Sequence, residues 1–103
     1  MTNKYIISGS DDKTIKIWSN QKCIKTLFGH GRSVRTLCQI NEFFFASGSF
    51  DKTIKIWDIY NFSCVRTING HNDLVLVLLR INNGLIVSCS NDNEIKLWKQ
   101  ISK

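Results

Sequence analysis

The sequence predicts an all-β protein made of consecutive four-stranded antiparallel units. One segment recurs three times, at residues 8–18, 47–57 and 88–98, and each copy ends in tryptophan. Short runs rich in β-branched and aromatic residues alternate with polar or glycine-containing turns along the chain, as in strands joined by hairpins. No stretch of ten or more residues keeps a helical period, so a helical protein is excluded.

The repeats cover nearly the whole chain. The first two copies read S-G-S-D-D-K-T-I-K-I-W and S-G-S-F-D-K-T-I-K-I-W, and the third reads S-C-S-N-D-N-E-I-K-L-W. Residues 23–40 and 64–81 also match each other, with a Gly-His dipeptide in both. A period of about 40 residues with four strands per unit is typical of propeller blades. A segment used three times indicates architecture more than an active site.

Strand runs and turn residues give the elements in order. Strands are predicted at residues 5–9, 14–18, 23–28, 34–40, 43–48, 53–58, 64–68, 75–81, 85–89 and 94–98. In the second run, Ile15 and Ile17 face one side and Trp18 the other. Residues 41–42 and 82–84 form compact hairpin connections. The second contains Asn-Gly, which tolerates positive φ. The Ser-x-Asp triplets form the next turn of each unit, where Asp can bind backbone N–H groups.

Length, hydropathy and cysteine content restrict the class of protein. The 103 residues fit one small domain. The longest apolar run, Leu74 to Leu79, is far shorter than a membrane helix, and the N-terminus lacks the apolar segment of a signal peptide. We therefore expect no membrane association and an intracellular location, cytoplasmic or nuclear. The cysteines are interpreted as reduced, small apolar strand residues rather than disulfides or metal ligands; they are Cys23, Cys38, Cys64 and Cys89.

Two sets of four residues recur with identical spacing. The sets are His30, Ser47, Asp51 and Trp57, then His71, Ser88, Asp92 and Trp98, with a partial set of Ser8, Asp12 and Trp18. With their neighbours they resemble the WD-repeat family of β-propellers, whose pattern is Gly-His, about seventeen residues, then S-G-S-x-D-x-T-I-K-I-W-D. Only Trp57 is followed by the family's Asp, and the usual Pro-Asp-Gly between the first two strands is absent.

Hydrogen-bond chemistry explains the four residue types. A strand between two blades buries both faces, so its polar atoms need partners. An indole N–H, a hydroxyl, an imidazole and a carboxylate can satisfy one another in series. The resemblance implies that they form such a structural tetrad.

Two chemical alternatives use some of the same residues. A Ser-His-Asp hydrolase is a remote alternative, because no G-x-S-x-G elbow exists and the set is duplicated with a Trp attached. His30 and His71 have no further ligands at a metal-binding spacing. The sequence therefore predicts no metal and no cofactor.

The strands divide unevenly into blades, lettered a to d from the hub outward. Residues 1–103 form one WD-repeat unit with three parts. Residues 5–28 give strands b, c and d of a first blade, and residues 34–68 give a complete blade. Residues 75–98 give strands a, b and c of a third blade. Propellers typically have 4–8 blades, so the predicted fold is an incomplete, open β-propeller. Its outer faces are expected to expose Ile, Trp and Phe, and bare edges recruit partners. We expect these partners to be the remaining blades of a larger ring or a second copy.

The resemblance implies a non-catalytic scaffold that binds peptides or protein domains. Its binding face carries the b–c turns and the d–a loops. The candidate partner-binding residues on this face are Asp11, Phe50 and Asn91, which occupy equivalent turn positions but differ in type, together with Arg32 and Asp73. The alternative is binding of nucleic acid or an acidic partner through the net charge of +6. Lys and Arg along solvated strand faces account for the charge equally well.

Overall fold

The computed structural model describes residues 5–81 and 85–99, which form ten antiparallel strands in three sheets. The first sheet contains β1 (Ile6–Gly9), β2 (Ile15–Ser19) and β3 (Lys22–Leu27). The middle sheet contains β4 (Val34–Gln39), β5 (Phe44–Ser49), β6 (Ile54–Asp58) and β7 (Ser63–Ile68). The last sheet contains β8 (Val75–Arg80), β9 (Ile86–Ser90) and β10 (Ile95–Trp98).

The predicted all-β, open fold class is confirmed. Within each sheet, strands that are consecutive in the chain pair with each other, and each of the ten predicted strands overlaps an observed one. The predicted hairpin at residues 82–84 lies outside the described residues. Within the described part of the chain, no helix is long and apolar enough to cross a membrane. The lettering of the sheets as parts of blades in a larger ring stays a prediction.

Alternating side chains bury one face of each sheet against the next sheet. Ile15 and Ile17 of the first sheet are 1% and 0% exposed. A core of Ile15, Ile17, Leu27, Val34, Phe45, Trp57 and Ile59 forms where the first and middle sheets meet. A second core of Cys38, Ile40, Ala46, Ile54, Ile56, Val75, Leu78 and Ile86 forms between the middle and last sheets. The chain is therefore a row of sheets held together by the two apolar layers between them.

Glycine allows neighbouring sheets to approach closely. A Cβ atom at Gly48 would lie 2.7 Å from Thr36 Cγ2 and 2.7 Å from Val75 Cγ1, and one at Gly9 would lie 2.7 Å from Val34 Cγ1. These distances are too short for two carbon atoms. Both positions therefore require glycine where the following sheet packs on them.

The last sheet has one apolar face that no other described sheet covers. We call this the open face, and its exposed members are Val77, Leu79, Ile81, Ile95 and Leu97. Trp98 instead packs against the core of the middle sheet, and Trp18 is half-buried. The expectation that the outer faces expose Trp is therefore wrong for Trp98, because the strand pleat directs its indole toward the middle sheet.

All four cysteines lie in strands and are free. Cys38 is buried, Cys89 is half-buried, and Cys23 and Cys64 are exposed. Burial raises the pKa of the Cys38 thiol, which keeps it protonated and unreactive.

Candidate functional site

A chain of hydrogen bonds runs through the middle repeat. Trp57 Nε1 donates to Ser47 Oγ over 2.8 Å, and Ser47 Oγ lies 2.7 Å from His30 Nε2. His30 Nδ1 lies 2.9 Å from Asp51 Oδ2. Trp57 belongs to β6, Ser47 to β5, His30 to the loop before β4 and Asp51 to the β5–β6 turn. The structure thus brings the four predicted residues together and ties two strands to two connections.

The charge on Asp51 sets the direction of these bonds. Burial raises the pKa of Asp51, but hydrogen bonds from Thr53, the Gly31 N–H and His30 outweigh it and lower the pKa to about 2. Asp51 is therefore a carboxylate at neutral pH and accepts the Nδ1–H of His30. His30 Nε2 then accepts the Ser47 hydroxyl proton, and Ser47 Oγ accepts the Trp57 N–H.

Neutral His30 completes this arrangement. Burial lowers the pKa of His30, although its bond to Asp51 opposes the shift. The imidazole therefore stays neutral at neutral pH, with one nitrogen as donor and the other as acceptor. Each buried polar atom of the tetrad has a partner, which is what a structural role requires.

The same geometry resembles a Ser-His-Asp relay but lacks access for a substrate. Ser47 is 0% exposed, and Trp57, which donates to its hydroxyl oxygen, is 2% exposed. A nucleophilic serine must reach a substrate carbonyl and lose its proton to histidine. In this fold the hydroxyl lies between two sheets, where no substrate can approach it.

The tetrad of the last repeat is only partly formed. Trp98 Nε1 donates to Ser88 Oγ over 2.8 Å, and Ser88 Oγ lies 2.6 Å from His71 Nε2. His71 Nδ1, however, is buried and has no hydrogen-bond partner. The prediction that Asp92 accepts a bond from His71 is therefore wrong. Instead, Glu94 Oε1 lies 3.8 Å from His71 Nδ1.

One residue contributes to the difference between the two tetrads. Thr53 donates its hydroxyl proton to Asp51 Oδ1 over 2.6 Å and so holds that carboxylate in place. The equivalent residue of the last repeat is Glu94, which cannot donate and carries the same charge as Asp92. Sequence reasoning missed Glu94 as a site residue. The available signal was the Glu in place of Thr in the third copy.

The first repeat has the predicted partial set. Trp18 Nε1 donates to Ser8 Oγ over 3.0 Å. Asp12 Oδ1 accepts the backbone N–H and the hydroxyl proton of Thr14. Hydrogen bonds from Thr14 and Ser10 lower the pKa of Asp12 to about 2, with a smaller contribution from Lys16. This aspartate therefore organises its own turn and does not join a buried chain.

The turn that follows each tetrad Asp contains a left-handed residue. Lys13, Lys52 and Asn93 have φ values of 80°, 75° and 71°. Each donates its N–H to the carbonyl three residues earlier, over 3.2, 3.2 and 3.0 Å. Asparagine adopts this conformation readily, but lysine does not. Sequence reasoning could have found it only at Asn93.

The Asp11 turn contacts the loop before the next sheet, whereas the Phe50 and Asn91 turns contact the loop before the first strand of their own sheet. Asp11 Oδ1 accepts from Ser33 Oγ over 2.7 Å, and Phe50 N donates to Ser33 O over 3.0 Å. Asn91 N donates to Leu74 O over 2.9 Å. Turns and loops therefore form one continuous end of the sheets.

The five candidates differ in exposure. Asp11, Asn91 and Arg32 are exposed, whereas Phe50 and Asp73 are half-buried. The Phe50 side chain is therefore partly packed against its surroundings. Asp73 Oδ1 accepts the neighbouring Leu74 N–H over 2.7 Å, so part of its hydrogen-bonding capacity is used locally.

Four-stranded and three-stranded sheets that pack face to face, with a Trp–Ser–His–Asp chain in the middle one, are typical of β-propeller blades. The family model for the WD domain, or G-beta repeat, matches residues 2–19, 21–58 and 62–99. The chain belongs to the WD40 repeat family. Propellers of this family are generally non-catalytic scaffolds for protein interactions.

Solved structures support the family assignment. The WD40 β-propeller domain of Doa1 is 39% identical with a TM-score of 0.81, covering 94% of this chain and 33% of that chain. The RRP9 WD40 repeats are 30% identical with a TM-score of 0.87, covering 93% and 30%. F-box/WD repeat-containing protein 7 of Drosophila melanogaster is 63% identical over 27 residues, 24% of this chain and 2% of its own length. The chain thus spans about a third of these solved chains and a small share of that curated relative.

Proposed function

We propose that this protein is a non-catalytic interaction module that binds peptides or protein domains at the end of its sheets where turns and loops meet. The observation that carries the proposal is that the first two copies of the repeated segment differ at one position only, which is Asp11 in the first copy and Phe50 in the second. Asp11, Phe50 and Asn91 each come directly before the turn aspartate of their repeat. The strands and the backbone hydrogen bonds of the turn lie at equivalent positions in the three repeats. The fold accounts for the residues that the repeats share, whereas binding of a ligand accounts for the turn residue that differs.

The chemistry of this end suits a mixed polar and aromatic ligand. Phe50 offers an aromatic side chain that is neither fully buried nor fully exposed, and aromatic anchors of this kind often dominate binding energy at interfaces. Arg32 and Asp11 are exposed beside the same loops and supply one charge of each sign. A peptide with an apolar anchor flanked by charged residues fits this surface.

Phe50→Asp tests the binding face. We expect reduced crosslinking to binding partners in cell extract, identified by mass spectrometry, with an unchanged melting temperature. Phe43→Asp is the matched control, because Phe43 is 47% exposed and lies at the opposite end of β5. The proposed face is wrong if Phe43→Asp loses the same partners as Phe50→Asp. It is also wrong if Phe50→Asp lowers the melting temperature together with partner capture, because Phe50 then serves packing.

The open face supports a second part of the proposal, which is that further blades complete the ring here. Ile95 and Leu97 occupy the positions of Ile54 and Ile56, which bury the middle sheet against the last sheet. A face with this apolar pattern and exposures of 72% and 52% at Ile95 and Leu97 attracts a covering partner. The occupant that matches the pattern is another sheet of the same kind.

Light scattering over a range of concentrations tests this part. The isolated chain should self-associate, because the open face lacks its covering sheet, and the double variant Ile95→Lys with Leu97→Lys should reduce the association. Val65→Lys is the control, since Val65 is 53% exposed on β7 of the middle sheet. A chain that stays monomeric and melts cooperatively at all concentrations would refute a need for further blades.

Three further points accompany the proposal. An intracellular location, cytoplasmic or nuclear, fits the four free cysteines. Salt dependence separates protein binding from nucleic-acid binding through the net charge of +6, because phosphate contacts would make affinity fall steeply with salt. A hydrolase would lose esterase activity in Ser47→Ala without loss of stability, whereas we expect no activity to lose.

A further inference from the structure

The last repeat contains a pair of buried polar atoms that no hydrogen bond satisfies. His71 Nδ1 and Glu94 Oε1 are both buried without a hydrogen-bond partner, and 3.8 Å separates them. The His71 side chain is 0% exposed, so bulk water does not reach it. A buried polar atom without a partner costs free energy comparable to a lost hydrogen bond.

A third ligand atom lies beside this pair. One ligand atom each from His71, Asp92 and Glu94 lies within 4.8 Å of the others. Asp92 is exposed, so one side of the cluster opens to solvent. Among the described residues, the only ion pair of either carboxylate is the long one between Glu94 and His71. Two carboxylates so close together repel each other unless a cation lies between them.

We propose that His71 Nδ1, Asp92 and Glu94 bind a divalent metal ion of the zinc type, with water in the remaining position. Zinc accepts one imidazole nitrogen and two carboxylate oxygens, and a three-residue site open to water is an ordinary zinc arrangement. Two ligands on tetrahedral zinc with bonds of about 2.1 Å lie roughly 3.4 Å apart. The observed 3.8 Å between His71 and Glu94 therefore needs to close by only a few tenths of an ångström.

The bond on the other side of the ring is compatible with this role. A metal on Nδ1 leaves the proton on Nε2, which donates to Ser88 Oγ over the observed 2.6 Å. The hydroxyl oxygen has two lone pairs and accepts this N–H together with the Trp98 N–H. Metal-bound histidines commonly donate their second N–H in this way, which fixes the ring orientation.

The middle repeat provides an internal control. His30 Nδ1 already donates to Asp51 over 2.9 Å, and Thr53 takes the place of Glu94. That site has neither an unsatisfied nitrogen nor a second carboxylate. Sequence spacing alone indicates no metal at either histidine. A metal site arises at His71 only because the fold brings Glu94 to the imidazole.

Ring nitrogen NMR of the full chain titrated with zinc chloride tests the proposal. The chain contains only two histidines, so their signals separate readily. We expect a saturable shift of His71 Nδ1 with His30 unchanged, and roughly tenfold or greater weakening of zinc binding in Glu94→Thr and Glu94→Gln. The Thr variant copies the middle repeat and should fold as the parent does.

Several outcomes would overturn the metal site. One is a His71 signal that does not move when zinc is in several-fold excess. This result would mean that His71 contacts Glu94 directly or through a water molecule and binds no metal. Another is equal zinc affinity in the two Glu94 variants and the parent. A third is a sulfur-to-metal charge-transfer band on Co²⁺ addition, which would assign the metal to Cys23 or Cys64, the exposed thiols.

Discussion

The middle and last repeats are built on one sequence pattern and differ in what surrounds it. In the middle repeat, Ile54 and Ile56 are 0% exposed because the last sheet covers them, whereas Ile95 and Leu97 at the same positions are 72% and 52% exposed. Equivalent strand patterns thus give a buried core in one place and an exposed apolar face in another. Whether a neighbouring sheet is present decides between the two.

The polar chains of the two repeats differ for a local reason. His30 has both ring nitrogens satisfied, while His71 has only one. Thr53 helps to hold Asp51 toward the histidine, and Glu94 at the same position places a second carboxylate there. The change from Thr to Glu therefore accompanies the loss of a closed hydrogen-bond chain, while the strand pairing is the same in both repeats.

The largest expected effect contrasts the two equivalent isoleucines. Ile54→Ala should lower the free energy of unfolding by about 3 kcal/mol, because it leaves a cavity in the core between the middle and last sheets. Ile95→Ala should cost only about 0.5 kcal/mol, because the side chain is exposed. Urea denaturation at low protein concentration measures both. Similar losses would mean that self-association already buries Ile95.

Exchanging Gly48 and Cys89 probes the need for glycine between sheets. Gly48→Cys should destabilise the protein by about 1–3 kcal/mol, since the new Cβ would contact Thr36 and Val75 at 2.7 Å. Cys89→Gly, on the open face, should change stability by less than about 1 kcal/mol. A mild effect of Gly48→Cys in the same denaturation experiment would show that the sheets can move apart.

Acid should weaken the middle tetrad in two pH ranges. The pKa of His30 is lowered in the fold, so the unfolded chain binds the proton more readily and stability falls as the pH drops below about 6.5. The pKa of Asp51 falls from 3.8 to about 2 on folding. Its contribution, up to about 2 kcal/mol, is present above pH 3.8 and is lost as the pH falls toward 2.

Unfolding free energies from pH 8 to pH 2 measure this loss, and Asp51→Asn serves as the comparison. The variant should be less stable at neutral pH and should lose less stability below pH 3.8. Parallel curves for parent and variant would show that Asp51 does not titrate differently in the folded and unfolded states.

The smallest expected effect concerns the left-handed turn residue. Lys52→Asn introduces the residue found at the same turn position of the last repeat, where φ is 71° compared with 75° at Lys52. We expect a gain of roughly 0.5 kcal/mol, because asparagine adopts this conformation with less strain. The reverse change, Asn93→Lys, should cost a similar amount. A loss on Lys52→Asn would mean that the lysine side chain makes a stabilising contact.

The repeat pattern was sufficient to predict the all-β class and the ten strands, because both follow from local periodicity in the order of residues. The grouping of His30, Ser47, Asp51 and Trp57 was predicted from the resemblance to the WD-repeat family, and the donors and acceptors of these side chains agree with it. Local periodicity also predicted that Ile15 and Ile17 share a face.

Only the tertiary structure determined the burial and the contacts of each repeated position. Cys89 replaces the glycine of Gly48, but the absence of a covering sheet among the described residues is what gives its side chain room. Likewise, Glu94 lies near His71 because the β9–β10 turn folds back onto the loop before β8, across residues far apart in the chain. Burial and contact depend on neighbours in space, so a repeat in sequence determines its own strands but not its surroundings.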